Sequence, residues 1–227
     1  MRVAIHQPEY LPCLPLLAKL RKADVVVLLD DVQFNRASLQ HRAKVAGPSG
    51  LVRWVSIPYR HAHPQRIMDL QVADESYRES HMGTLGALYR TAPAFATVEP
   101  IVADLYERLR FLDLSCVAVV ARASMDLLMS AFGVAPARIV RSSTLAADGM
   151  KGDRVLDICR RLKASTYIAG RAGSTYLDRD AFAAAGVAIE VSEYEAPRYR
   201  EGQPEDAGLS GIDAWMWLGE RCGEVIR

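Results

Sequence analysis

A chain of 227 residues, half of them apolar, can bury one sizeable core. Its 28 Lys+Arg against 27 Asp+Glu leave a net charge of +1, which argues for neither a nucleic-acid-binding basic surplus nor an acidic tail. No segment reaches the roughly 18 apolar residues of a membrane span, the opening lacks a signal-peptide pattern, and Cys13, Cys116, Cys159 and Cys222 form no CxxC pair, so a soluble cytoplasmic protein with reduced thiols is predicted.

The first strand ends in MRVAIHQPEYLP, where an apolar run meets His6, Gln7 and Tyr10 between prolines. LPLLAKLRKA has helical spacing. ADVVVLLDDVQF carries a continuous apolar run, the mark of a strand buried on both faces. Strand, short helix and strand begin a βαβ unit with a right-handed crossover. LVRWVSIPY alternates and follows the turn GPSG, which predicts a hairpin with the segment around Lys44 and Val45. IMDLQVAD is a weaker strand. From about 77 to 132 the pattern is helical, with Leu105, Leu109, Leu112, Val117, Val120 and Leu127 on the apolar face and Pro93 and Pro100 as breaks. ARIVRSS and TYIAG read as strands, KGDRVLDICRRLKA as an amphipathic helix, AFAAAG as a helical turn, VAIEVSEY as a last strand and SGIDAWMWLGERCGEVI as a closing helix. The prediction is one α/β domain over 1–227, a three-layer, Rossmann-like, mostly parallel sheet with a helical side segment.

Open parallel sheets bind ligands outside the carboxyl ends of their strands. Four predicted exits carry polar residues: His6, Gln7 and Tyr10; Asp30, Asp31 and Gln33, with Arg36, Gln40, His41 and Arg42 beyond; Ser142, Ser143 and Thr144; and GRAGSTYLD with Tyr176 and Asp178. Each has an ordinary structural reading as well: His6 as a core histidine, the aspartates as a turn and cap, RSST as an N-cap, Arg42 as a solvated cation. GRAGSTY lacks the GK[ST] ending of a P-loop, and a Cys13–His6 nucleophile pair lacks an orienting partner. Ser142 and Ser143 backed by Lys151 and Arg154 suit a phosphate at a helix start; a capped helix with a charged outer face is the equal alternative.

Taken together, IHQPEYLP, ADVVVLLDDVQF, SLQHR, the His81–Tyr89 run, SSTL, KGDRVLDICRRL, YIAGRAGSTYLD and LSGID resemble the WbqC-like family over nearly the whole chain. Bacterial members are typically found in gene clusters for surface polysaccharides such as O-antigen, and some in specialised-metabolite clusters. By position the resemblance implicates His6, Gln7, Pro8, Tyr10, Asp31, Gln33, Gln40, Arg42, Gly170, Tyr176, Asp178 and Asp213. The chain departs from the family pattern at Cys13 and Pro15, where Trp and Gly are usual, at His41, where Asn is usual, and around Glu201. A more distant similarity links ADVVVLLDDVQF to pantothenate synthetases and RSSTL to HIGH-type nucleotidylyltransferases, although the second histidine of their HxGH signature is missing. That similarity implies a nucleotide such as ATP, with Mg2+, as cofactor.

The expected function is a transferase or ligase that modifies an activated sugar or small amine. Arg42, Lys151 and Arg154 would stabilise developing negative charge, and His6 or Asp31 would move the proton. A metal-dependent hydrolase or lyase built on His6, Asp30, Asp31 and His41, and a non-catalytic ligand-binding subunit, are the alternatives. The expected partner is a small molecule rather than nucleic acid.

Overall fold

The computed structural model describes residues 1–60, 64–111, 116–171, 173–205 and 208–227. Strand β1 (Arg2–His6) leads through helix α1 (Leu14–Arg21) to β2 (Val25–Leu28). β3 (Arg42–Ala46) and β4 (Val52–Ser56) form the expected hairpin, and β5 (Tyr59–Arg60) and β6 (Gln71–Val72) a second short antiparallel pair. Three helices follow, α2 (Tyr77–Tyr89), α3 (Phe95–Phe111) and α4 (Val117–Ala131). The chain then alternates: β7 (Arg138–Arg141), α5 (Lys151–Arg161), β8 (Thr166–Gly170), α6 (Arg179–Ala184), β9 (Ala188–Ser192) and α7 (Gly211–Leu218).

The central sheet is parallel throughout, in the order β7-β2-β1-β8-β9. Because side chains alternate along a strand, Ala4, Val26, Leu28 and Ile168 face α1, α7 and the three-helix segment, whereas Val3, Ile5, Val25, Val27 and Ala169 face α5 and α6. Helices on both faces make the Rossmann-like three-layer α/β arrangement. The chain leaves β1 outward through β2 to β7, then returns through α5 to place β8 on the other side of β1. The order therefore reverses between β1 and β8, and the crevice outside their carboxyl ends is the topological switch point.

Four features differ from the sequence expectation. Pro100, expected as a break, lies in the second turn of α3. The weak strand IMDLQVAD shrinks to Gln71–Val72, because Ile67–Asp69 winds into a 3-10 turn. The closing helix stops at Leu218, where Gly219 takes φ +57, and the remainder to Ile226 is 3-10 wound. AFAAAG lies in α6, which starts earlier, at Arg179, capped by Asp178. Leu112 lies outside the described residues. Among the described residues no helix is long and apolar enough to cross a membrane.

Candidate functional site

The first strand delivers His6 to the switch point, and the loop after it is held in an unusual shape. Leu11 adopts φ +44, a left-handed conformation that costs a non-glycine residue about 1–2 kcal/mol. Burial of Leu11 and its N–H bond to Ser124 Oγ (2.9 Å) offset that cost, as does the bond from Tyr10 N to Leu39 O (2.9 Å). The loop brings Glu9 back toward His6, with 3.8 Å between His6 Nε2 and Glu9 Oε1, too long for a direct hydrogen bond. His6 Nδ1 lies 2.9 Å from the Gln7 carbonyl. A carbonyl only accepts, so Nδ1 carries the hydrogen and the Nε2 lone pair is left facing the Glu9 carboxyl.

A lysine completes the cluster. Lys19, on the inward face of α1, is 4% exposed and donates to the Ile5 carbonyl at 2.7 Å. Glu9 is 8% exposed, and its Oε2 accepts from the Cys13 thiol at 3.7 Å. Burial pushes the Glu9 carboxyl up to about 7 against the opposing pull of the Cys13 amide and thiol and of the Lys19 charge. The same burial lowers Lys19 to about 8, partly restored by Glu9. Burial first, and the Lys19 charge second, lower His6 to about 3. The His6 ring keeps 31% of its surface, so solvent at that edge moderates the shift while its direction stands. At neutral pH the cluster thus holds a neutral imidazole beside a carboxyl poised near its midpoint. Perturbed groups gathered at a strand exit are what a site needs for proton transfer.

A second cluster sits at the exits of β2 and β7. Asp30 is buried and accepts from Ser143 N (3.0 Å), Ser143 Oγ (2.9 Å) and Ser142 Oγ (3.2 Å). Asp31 takes Ser142 Oγ at 2.5 Å and a close ion pair from Arg154, whose other nitrogen donates to Ala147 O at 2.7 Å. Asp31, a candidate catalytic residue, thus meets Ser142 and Arg154 of the candidate phosphate site, and Ser143 of that site engages Asp30. A phosphate entering here would have to displace a carboxylate. Lys151 opens α5 and stays exposed.

The remaining predicted residues are dispersed. Gln7 Oε1 accepts from Gln40 Nε2 at 2.5 Å, so these two share the β1 exit. Arg42 begins β3, donates to the carbonyls of Ala37 (2.7 Å) and Ser38 (3.3 Å), and lies 4.4 Å over the exposed Trp54 ring. Gln33 bridges to Arg66. Tyr10 is taken into the core at 1% exposure, where its hydroxyl meets Tyr106 and donates to His81 Nδ1 at 2.8 Å; it does not wall a pocket. His41 is packed edge-on against Phe34 and Tyr59. Tyr176 is exposed, and Asp178 caps α6 by accepting from Asp180 N and Ala181 N. Among the described residues no group of three or more His, Cys, Asp and Glu side chains could hold a metal ion.

A cleft of about 680 Å3 opens at the carboxyl end of the sheet, between Leu14 and Pro15 at the start of α1, Arg171 after β8, and the loop around Tyr194–Gln203 after β9. Tyr194 on the cleft wall stands near Cys13, whose thiol also bonds Glu9, and burial raises its phenol. Pro15, one of the departures from the family pattern, lines the cleft, and Cys13, another, lies just behind it. A hollow of about 430 Å3 near Ser165, Gly186 and Arg179 lies at the opposite, amino end of the sheet, far from these groups. Glu9 and Lys19 are the residues that the sequence reading missed. The available signals were a glutamate inside the proline-framed exit and a single charge interrupting the apolar face of LPLLAKL.

The comparisons agree with this architecture in scope but assign no chemistry. One relative, "Uncharacterized protein Rv1507c" of Mycobacterium tuberculosis (strain ATCC 25618 / H37Rv), is 22% identical over 231 residues, covering 100% of this chain and 97% of that one. No solved structure matches the chain. The model of the WbqC-like protein family matches residues 7–224, so from the exit of β1 to the last turn the chain belongs to the WbqC-like family.

Proposed function

We propose that the protein is an enzyme of group transfer, a transferase or ligase that modifies an activated sugar or small amine in bacterial polysaccharide or specialised-metabolite biosynthesis. One observation carries this reading. Glu9, Lys19 and His6, three groups whose burial pushes each toward its neutral form, cluster at the switch point behind the cleft, where a doubly wound sheet presents its ligands. Group transfer to an amine or hydroxyl needs a base that can take the nucleophile's proton and return it to the leaving group. A carboxyl near 7 exchanges a proton at little cost in either direction. Glu9 is that base. His6, neutral and with Nε2 as acceptor, holds the protonated form of Glu9 by accepting its hydrogen through a bridging water or a small closure. Lys19 stays beneath the Ile5 carbonyl, and its charge keeps Glu9 from being locked in the protonated state. Gln7, fixed by Gln40, is the neutral polar group available to orient the substrate beside His6.

Following the Glu9 side-chain carboxyl by carbon NMR against pH tests the reading without a known substrate. The expected midpoint is about 7. A midpoint at the ordinary glutamate value of about 4.3 in the folded protein would remove the base and the proposal with it.

A further inference from the structure

Among the described residues, the neutral polar side chains that line the carboxyl-end cleft, Tyr194, Tyr199 and Gln203, each have a partner. Tyr194 donates to the Val225 carbonyl at 2.8 Å and Tyr199 to Asp213 at 2.6 Å, while the Gln203 amide accepts from Tyr199 N and donates to Pro197 O. What remains is charge. Arg171 and Arg198 line the cleft together with Glu195 and Glu205, and among the described residues none of these four side chains has a hydrogen-bond or ion-pair partner. All four are exposed and line the same cleft, so both signs of charge are open to a ligand there. The walls that carry them are fixed, because Tyr199 hangs from the buried Asp213 and Gly202, at φ +66, passes so close to the Pro48 carbonyl that a Cβ would stand 2.2 Å from its oxygen.

We infer that the cleft binds a small zwitterion, with Arg171 and Arg198 taking a carboxylate or phosphate and Glu195 and Glu205 taking an ammonium group. A guanidinium fork matches a planar anion, and carboxylates accept from an ammonium, so the two ends of the ligand are told apart by charge alone. This deepens the proposed function by naming the class of its amine substrate, and it rests on that reading only for the reaction, not for the binding.

The test uses the intact protein and ω-aminocarboxylates of two to six carbons, each compared with the carboxylate and the amine of the same length, with affinities read by NMR titration. At least one zwitterion is expected to bind tenfold or more tightly than both of its halves. Arg171→Gln/Arg198→Gln should abolish the advantage over the amine, and Glu195→Gln/Glu205→Gln the advantage over the carboxylate. Both pairs are exposed, and thermal melting confirms that the variants stay folded. If no zwitterion exceeds its halves tenfold, or if the variants leave the advantage intact, the assignment is overturned. Zwitterion binding together with a Glu9 midpoint near 4.3 would reject the acid–base reading while leaving the cleft's ligand class standing.

Discussion

Asp213 and Glu9 are both interior carboxylates, 0% and 8% exposed, yet their surroundings treat them differently. Asp213 Oδ1 accepts from Tyr199 (2.6 Å) and Arg200 Nε (3.1 Å), and Oδ2 from Tyr89 (2.8 Å) and Arg200 Nη2 (3.1 Å). Each oxygen is doubly satisfied, the cation is bidentate and itself buried, and the unit ties α7 to α2, to the cleft loop and, through the Ala46 backbone, to β3. Glu9 receives the Cys13 amide and a long Cys13 thiol contact, and on its other side a 3.8 Å approach to a neutral imidazole, with no cation bonded to it among the described residues. A closed set of bonds holds a charge and fixes structure, whereas an open one leaves the charge expensive and free to change. Asp213, which the family resemblance placed among candidate functional residues, is by this measure a structural centre, and Glu9, overlooked in the sequence, is the carboxyl that the proposed function uses.

Breaking the closed set gives the largest effect. Asp213→Ala leaves Arg200 buried without its counter-charge and is expected to cost about 3–5 kcal/mol in urea denaturation, with the Glu9 titration unchanged if the protein folds. A loss below about 1 kcal/mol would show that the knot is dispensable and that closure does not separate the two regions.

The open set should respond to pH instead. Glu9 has a folded pKa raised from 4.5 to about 7, so the folded state holds its proton more tightly. The stability this contributes is complete below 4.5 and lost as pH rises through 7. Glu9→Gln should therefore match the wild type near pH 4 and exceed it above pH 8 by up to ~3 kcal/mol. For His6 the sign is opposite: its folded pKa is lowered, so stability is present above 6.5 and falls as pH drops toward 3, and His6→Gln should flatten that acid limb. Parallel pH profiles for wild type and Glu9→Gln would mean that Glu9 is as ordinary as a surface carboxylate.

Two smaller changes sharpen the contrast. Tyr199→Phe removes one of the four bonds to Asp213 and is expected to cost about 1–2 kcal/mol, with no change in the pH profile. Lys19→Met should alter stability at neutral pH by no more than ~1 kcal/mol, since replacing a buried charge with an apolar chain of similar length is often neutral. Its signature is electrostatic: the Glu9 midpoint should move above 7, because the lysine charge helps to hold it down. A Glu9 midpoint that stays put in Lys19→Met would uncouple the two groups.

The sequence made the fold legible because its signals were local. The run Val25–Leu28 announced a strand buried on both faces, TYIAG a strand and KGDRVLDICRR an amphipathic helix, and all three stand where they were read. The site was legible only in part. Strand-exit reasoning singled out Asp31 and, separately, Ser142, Ser143 and Arg154 as phosphate ligands; it could not see that the fold would pair those hydroxyls and that guanidinium with Asp30 and Asp31. It counted Tyr10 among the polar groups of the β1 exit, and it could not see His81 and Tyr106 arriving from α2 and α3 to claim the hydroxyl.

By itself, then, the sequence determined the elements, the parallel sheet and the end of it that carries polar groups, since apolar period and turn chemistry depend on neighbours a few residues away. Tertiary structure alone decided which of those polar groups are spent and which are left open. Whether a carboxyl is held like Asp213 or poised like Glu9 depends on side chains delivered from distant segments, Tyr89 and Arg200 for the one and Lys19 on a crossing helix for the other. Burial, which sets the cost of each charge, exists only once those segments have packed.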